Sequence, residues 1–196
     1  MFIELTDHLR CPAPHEESFL VLLPDVIERR SVRRGLLGCP ACNASYRIEE
    51  GVARFGGGAA PAVAAPVAPP PVEGVAAFLG LSGPGGYVAL VGDVASLAGE
   101  LATAVPGVHL VGVNAPAGTT EAERVSLLEA PALPIKARQL RGVVLGGGYG
   151  GDPAWVAEGV RVILPGLRLA GAGPAPATGS VELLAEAGGW WVARKR

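Results

Sequence analysis

All three cysteines of the chain fall in two short clusters near its start, Cys11-Pro12-Ala13-Pro14-His15 and Cys39-Pro40-Ala41-Cys42. Zinc takes four sulfur or nitrogen ligands in a tetrahedron, and two short clusters separated by a hairpin-sized insert bring such ligands together when the chain folds. The pattern is that of a structural metal site. Its positioning requires a small β domain around the clusters, and the remainder of the chain is built differently.

Composition sets the frame. The charge balance of −2 and a pI of about 5.9 give no overall pull toward nucleic acid or anionic membrane. The basic run Arg29, Arg30, Arg33 and Arg34 is local, and Glu16, Glu17, Asp25 and Glu28 lie close to it. It reads as a solvated charged face, with contact to RNA or to an acidic partner as the rival reading. An odd cysteine count with a C-x-x-C argues against a secreted disulfide framework. Glu4, Asp7 and Arg10 argue against a signal peptide, and no apolar run is long enough for a membrane span. A cytoplasmic location is expected. Charged residues make up only 17% of the chain and mean hydropathy is +0.38, against about 25–35% charge on a typical monomer surface. Part of the surface is therefore expected to be covered, by a protein partner or by a second copy.

The chain divides at residues 56–73, where Gly, Ala and Pro exclude helix and strand alike. We expect a small β domain over 1–55, a linker over 56–73 with polyproline II character, and an α/β domain over 74–196. In the first domain Phe19-Leu20-Val21-Leu22-Leu23, Leu36-Leu37 and Tyr46-Arg47-Ile48 read as strands, the last turning at Glu50-Gly51 into another at Val52. So small a domain buries little apolar surface, and metal ligation is the usual remedy.

The succession Leu9-Arg10-Cys11-Pro12, Gly35-Leu36-Leu37-Gly38-Cys39-Pro40-Ala41-Cys42 and Tyr46-Arg47-Ile48-Glu49-Glu50-Gly51-Val52 resembles the small zinc-ribbon family that includes the activator subunit of tRNA, rRNA and release-factor methyltransferases. The resemblance implies a ribbon whose sheet pairs edge to edge with a methyltransferase by strand addition. Many members have Cys-x-x-Cys in the first knuckle, but Pro14 stands where the second cysteine would be. His15, one place later, is the expected fourth ligand beside Cys11, Cys39 and Cys42, with His8 as a second candidate. Otherwise the knuckle keeps its shape by packing alone.

From residue 74 onward apolar runs alternate with helical stretches. Tyr87 to Val91, Val108 to Val113, Val125 to Leu128, Val143 to Leu145 and Leu167 to Ala170 read as buried strands. Helices are expected over 94–105 and 153–163, and a terminal hairpin turns at Gly188-Gly189. Strand-helix alternation implies a doubly wound, mostly parallel Rossmann-like sheet. Of Trp190 and Trp191, one ring is expected in the core and one exposed.

Phe78-Leu79-Gly80-Leu81, Ala132-Leu133-Pro134-Ile135 and Arg161-Val162-Ile163-Leu164-Pro165-Gly166-Leu167-Arg168-Leu169 resemble segments of class I S-adenosylmethionine-dependent methyltransferases. The resemblance implies the fold; the positions that would touch the cofactor depart from it. That family follows its first strand with an acid and G-x-G-x-G, but here Leu90 replaces the acid and Val94 and Ser96 replace two of the glycines, leaving Gly92. Asn114 stands where an acid would hold the ribose, and Leu140-Arg141 where Phe-Asp would precede the fourth strand. Losing each contact costs about 1–3 kcal/mol, and together they erase micromolar affinity. S-adenosylmethionine binding is thus not expected; if it occurs, Gly92, Asp93 and Asn114 are its contacts. Gly146-Gly147-Gly148-Tyr149-Gly150-Gly151 contains G-x-G-x-x-G but follows the fourth strand, so it reads as a flexible or closely packed loop rather than an anion site. The expected protein is a non-catalytic adapter or accessory subunit, a zinc ribbon fused to a degenerate methyltransferase fold, with an authentic methyltransferase as one candidate partner. The alternative is a methyltransferase with a divergent cofactor loop; a third reading is an RNA-binding module.

Overall fold

The computed structural model describes residues 1–57, 61 and 67–196, so part of the expected linker lies outside the described residues. The first half forms an antiparallel meander of β1 (Val21–Glu28), β2 (Ser31–Gly38), β3 (Ser45–Glu49) and β4 (Val52–Arg54). β1 runs on through Pro24, which the apolar run alone does not predict. It is the outermost strand, its pairing with β2 slips between Pro24 and Val26, and a missing N–H is tolerated at such an edge.

The second half supplies β5 (Tyr87–Val91), β6 (His109–Val113), β7 (Val125–Glu129), β8 (Leu140–Leu145) and β9 (Ile163–Ala172), all parallel, then the hairpin of β10 (Val181–Ala187) and β11 (Trp190–Lys195). Among the described residues the helices are α1 (Val72–Leu79), α2 (Ala98–Ala104) and α3 (Pro153–Val162), with 3-10 turns at Ile3–His8, Gly92–Leu97 and Gly147–Gly151. None of these helices is long and apolar enough to cross a membrane. Strand order is β1-β2-β3-β4-β7-β6-β5-β8-β9-β11-β10, one sheet of eleven strands with a parallel centre and antiparallel flanks. The order reverses at β5, so the topological switch point of this α/β sheet lies beyond the carboxyl ends of β5 and β8.

Both halves of the chain contribute to this one sheet through β4, which pairs in parallel with β7: Val52 opposite Leu127, Ala53 opposite Leu128 and Arg54 opposite Glu129. The ladder continues as Phe55 donates its N–H to the Glu129 carbonyl at 2.7 Å, and the Arg54 guanidinium pairs with the Glu129 carboxylate. The N-terminal arm crosses the same seam. Leu9 bridges to Ile135, and Lys136 donates its N–H to the His8 carbonyl at 2.8 Å. Leu5, Leu9, Leu37, Ile48 and Phe55 consequently share one core with Val113, Leu128 and Ile135. Glu121, in the β6–β7 loop, closes the seam from the other end by accepting from the Met1 ammonium, Arg33 and the Ser31 hydroxyl.

Three local expectations change. The helix expected over 94–105 is divided into 3-10 turns over Gly92–Leu97 and α2, because Asp93 caps the Val94 N–H and the Ser96 hydroxyl bonds back to the Asp93 carbonyl at 2.7 Å. α1 begins at Val72, inside the expected linker. Trp190 and Trp191 are both buried, at 5% and 0% exposure, because each face of the sheet is covered. Trp191 donates to the Gly150 carbonyl on one face and Trp190 to the Ala68 carbonyl on the other.

His109 opens β6 beneath the arm. Its ring stacks on Phe2 with centroids 4.6 Å apart, and Nε2 lies 3.0 Å from the Ser126 hydroxyl. Burial, reinforced by the nearby Met1 ammonium and Arg124, pulls its pKa down to about 4. The folded protein thus holds it neutral where the unfolded chain, with an ordinary pKa of about 6.5, takes a proton. This contribution is complete above about pH 6.5 and is lost as pH falls toward 4, a loss of about 3 kcal/mol. Denaturant unfolding across that interval should show the decline, and His109→Phe should make it shallower by a comparable amount.

Candidate metal centre and the crevice at the switch point

The knuckle between β2 and β3 is built by its backbone. Cys39 donates its N–H to the Ala44 carbonyl at 2.8 Å, and Asn43, at φ 59, donates to the Cys39 carbonyl at 2.9 Å. This wraps Ala41 and Cys42 around the Cys39 sulfur. The first knuckle lies on the N-terminal arm, where the Cys11 N–H donates to the Ser18 carbonyl at 2.9 Å. The structure brings Cys11, His15, Cys39 and Cys42 together, with one ligand atom of each within 4.8 Å of all the others. The Cys11 and Cys42 sulfurs are 3.8 Å apart, and the Cys39 sulfur lies 3.5 Å from His15 Nε2. A tetrahedron with zinc–sulfur bonds of about 2.3 Å and zinc–nitrogen bonds of about 2.0–2.1 Å has edges of about 3.8 and 3.5 Å. The set fits that ion.

Two neighbours prepare these ligands. His15 Nδ1 lies 2.6 Å from the Glu16 carbonyl, which can only accept, so Nδ1 carries the proton and the Nε2 lone pair faces the sulfurs. The Tyr46 hydroxyl lies 3.1 Å from the Cys11 sulfur, and burial followed by this contact pushes the phenol pKa up, keeping it a donor. Burial acts to raise the Cys39 thiol, but N–H groups of Cys42 and Ala41 outweigh it and bring the pKa to about 6. His8 is elsewhere, against Gln139 at 2.8 Å and the Tyr87 ring. Of the arginine run, Arg34 pairs with Asp25, whereas Arg29, Arg30 and Arg33 gather at the seam.

Gly92, Asp93 and Asn114 reach the carboxyl ends of β5 and β6, where a nucleotide-type ligand would bind. The chain's own groups fill the place. Gly92 has φ +75, and a Cβ there would stand 2.7 Å from the ring of Tyr149, which rests on it. Tyr149 is buried and meets Trp155 edge to face at 4.7 Å. Asn114 spends its amide on backbone: Nδ2 donates to the Ala130 carbonyl at 2.8 Å and Oδ1 accepts the Ala130 N–H at 2.9 Å, which prolongs the β6–β7 pairing. The Asp93 carboxylate packs over Gly146 and accepts the Val94 N–H, and burial raises its pKa.

Tyr149 is the residue sequence reasoning misses, although its setting is visible as one aromatic inside a glycine run. Those glycines permit close approach: a Cβ on Gly150 would collide with the backbone of Ala172 in β9. Two spaces lie elsewhere among the described residues. One, of about 480 Å³, is an apolar groove between α3 and the β9–β10 connection, lined by Pro153, Val156, Val160, Pro174 and Pro176. The other, of about 740 Å³, is at the seam.

No protein-family model and no curated protein matches the chain. Among solved structures it is similar to a chain of the complex between the Haloferax volcanii Trm112 methyltransferase activator and a candidate methyltransferase, with 18% identity, a TM-score of 0.42, and 51% of this chain and 50% of that one covered. It is similar to a candidate methyltransferase from Bacillus halodurans C-125 at 18% identity and a TM-score of 0.41, over 55% and 53% of the two chains. It is similar to the antibiotic-resistance methyltransferase Kmr at 15% identity and a TM-score of 0.45, over 65% and 94%. The matched region thus spans about half the length of the first two, 50% and 53%.

The filled crevice has a mutational signature. Gly92→Ala should lower stability by about 1–3 kcal/mol, from both the backbone conformation and the Tyr149 ring. Gly99→Ala, in α2 with nothing within 4 Å of the added methyl, should raise it by about 0.5–1 kcal/mol. Urea unfolding of both variants checks the contrast.

Proposed function

We propose that this chain is a metal-stabilised, methyltransferase-like scaffold that works by association rather than by turning over S-adenosylmethionine. The observation that carries the reading is the Tyr149 ring on Gly92, together with an Asn114 amide already committed to Ala130. A cofactor would have to displace both. Zinc, held by Cys11, His15, Cys39 and Cys42, ties the N-terminal arm to the β2–β3 knuckle and so holds the meander that presents β4.

The ribbon edge that would recruit a separate methyltransferase is engaged within the chain, as β4 on β7. A partner protein or a second copy is therefore expected on the outer strands instead. Phe19, Val21, Leu23 and Leu36 are exposed there, with Leu23 directly opposite Leu36.

One observation favours a second reading, a methyltransferase with a divergent cofactor loop. Gly92, Asp93 and Asn114 lie at the switch point of a sheet with the β7-β6-β5-β8-β9 order of dinucleotide-type folds. Calorimetry separates the two. The scaffold reading predicts no heat from S-adenosylmethionine at millimolar concentration, whereas micromolar binding that weakens in Asn114→Ala would establish the enzyme reading.

Metal content tests the other half. One equivalent of zinc per chain is expected, with loss of that metal in Cys39→Ser. Replacement by cobalt should give the visible bands of a tetrahedral thiolate site. Tyr46→Phe, which removes only the bond to the Cys11 sulfur, should weaken the metal about 10-fold in a chelator competition.

A further inference from the structure

The seam between the two halves carries a cleft that neither the metal nor the crevice uses. Arg29 and Arg30 reach it from the β1–β2 turn, Arg33 from β2, and Glu121, Glu123 and Arg124 from the β6–β7 loop. Its charges are unevenly matched. Glu121 is engaged by Arg33 and the Met1 ammonium, Glu28 lies 3.8 Å from Arg33, and Arg30 pairs with Glu4. Arg29 and Arg124 have no carboxylate partner among the described residues. Nη1 of Arg124 is shielded from solvent and has no hydrogen-bond partner among the described residues. A guanidinium in that state lacks both its counter-charge and part of its hydration, and both are restored most completely by an oxyanion that accepts two N–H groups at once.

We propose that this cleft binds a phosphate group, held between Arg29 of the β1–β2 turn and Arg124 of the β6–β7 loop. The ligand class follows from the walls. Guanidinium groups on two sides suit an anion with several acceptor oxygens. Phe2, the one aromatic residue lining the cleft among the described residues, is already stacked on His109 and has the Arg30 guanidinium 5.5 Å from its ring centroid, so it is poorly placed to stack a base. The phosphate can therefore belong to a small phosphorylated molecule or to a nucleic acid backbone read without base contacts. Because the two arginines come from opposite sides of the seam, binding also clamps the ribbon to the α/β sheet.

Thermal unfolding of the full chain in inorganic phosphate, against sodium chloride at equal ionic strength, tests the site. Phosphate should raise the midpoint in a saturable way and chloride should not. Arg124→Gln should weaken the response at least tenfold. Arg29→Gln, on the exposed turn, should weaken it too without disturbing the fold. Glu123→Gln removes a carboxylate that has no cation partner among the described residues and should strengthen binding about two- to threefold, a gain that damage to the fold cannot produce. No saturable shift at millimolar phosphate, a response unchanged in both arginine variants, or weaker binding in Glu123→Gln overturns the proposal. Anisotropy of a labelled single-stranded RNA then identifies the source. Salt-sensitive binding lost in the same arginine variants assigns the site to a phosphodiester backbone, and a phosphate response without RNA binding assigns it to a small ligand.

Discussion

Three residue pairs, Val52 with Leu127, Ala53 with Leu128 and Arg54 with Glu129, join the two halves of this chain into one sheet. Nearly everything else depends on that pairing. A strand as short as β4 has little stability of its own, and parallel pairing between segments so distant in sequence closes a long loop at an entropic cost. It persists because each end is reinforced. Phe55 and Arg54 extend the ladder on one side, and Glu121 gathers Ser31, Arg33 and the Met1 ammonium on the other. The N-terminal arm then lays Leu5 and Leu9 into the core beneath.

The ligand set and the closed crevice are two consequences of the same arrangement. Cys11 and His15 come from the arm and Cys39 and Cys42 from the knuckle, so an ion bound among them would restrain the segments that carry β4 and the arm to the larger sheet. At the carboxyl ends of β5 and β6 the chain uses its side chains for packing, at the switch point where an α/β sheet offers space to a ligand. Tyr149 covers Gly92 and Asn114 extends a backbone ladder. At the switch point these side chains make contacts that hold the fold.

Much of the parallel sheet is legible directly. Tyr87 to Val91 is apolar at every position and forms a strand over those residues, because a central parallel strand is buried on both faces. The four cysteine and histidine positions are legible from spacing, although spacing alone does not place His15 Nε2 toward the sulfurs. That orientation comes from the Glu16 carbonyl, a local contact with no signature in composition. The union of β4 with β7 is not legible, because Val52-Ala53-Arg54 is too short to show a period and its partner lies far along the chain. Tyr149 escapes for a related reason, since its role depends on how closely a glycine loop approaches β9. Alternation along β11 suggests one tryptophan in the core and one at the surface, yet Trp190 and Trp191 are both buried, because the cover on both sheet faces is a property of the assembled layers.

Hydrogen exchange on the purified protein with and without a zinc chelator tests the dependence on that pairing most directly. Chelation is predicted to reduce protection in β3 around Tyr46 and Ile48, and also at the β7 amides that face β4. Loss confined to β3 with β7 unchanged would mean that the ribbon is a separate module resting beside the sheet. No change in either strand would mean that no metal holds it. Either result would contradict the account of one sheet secured through β4.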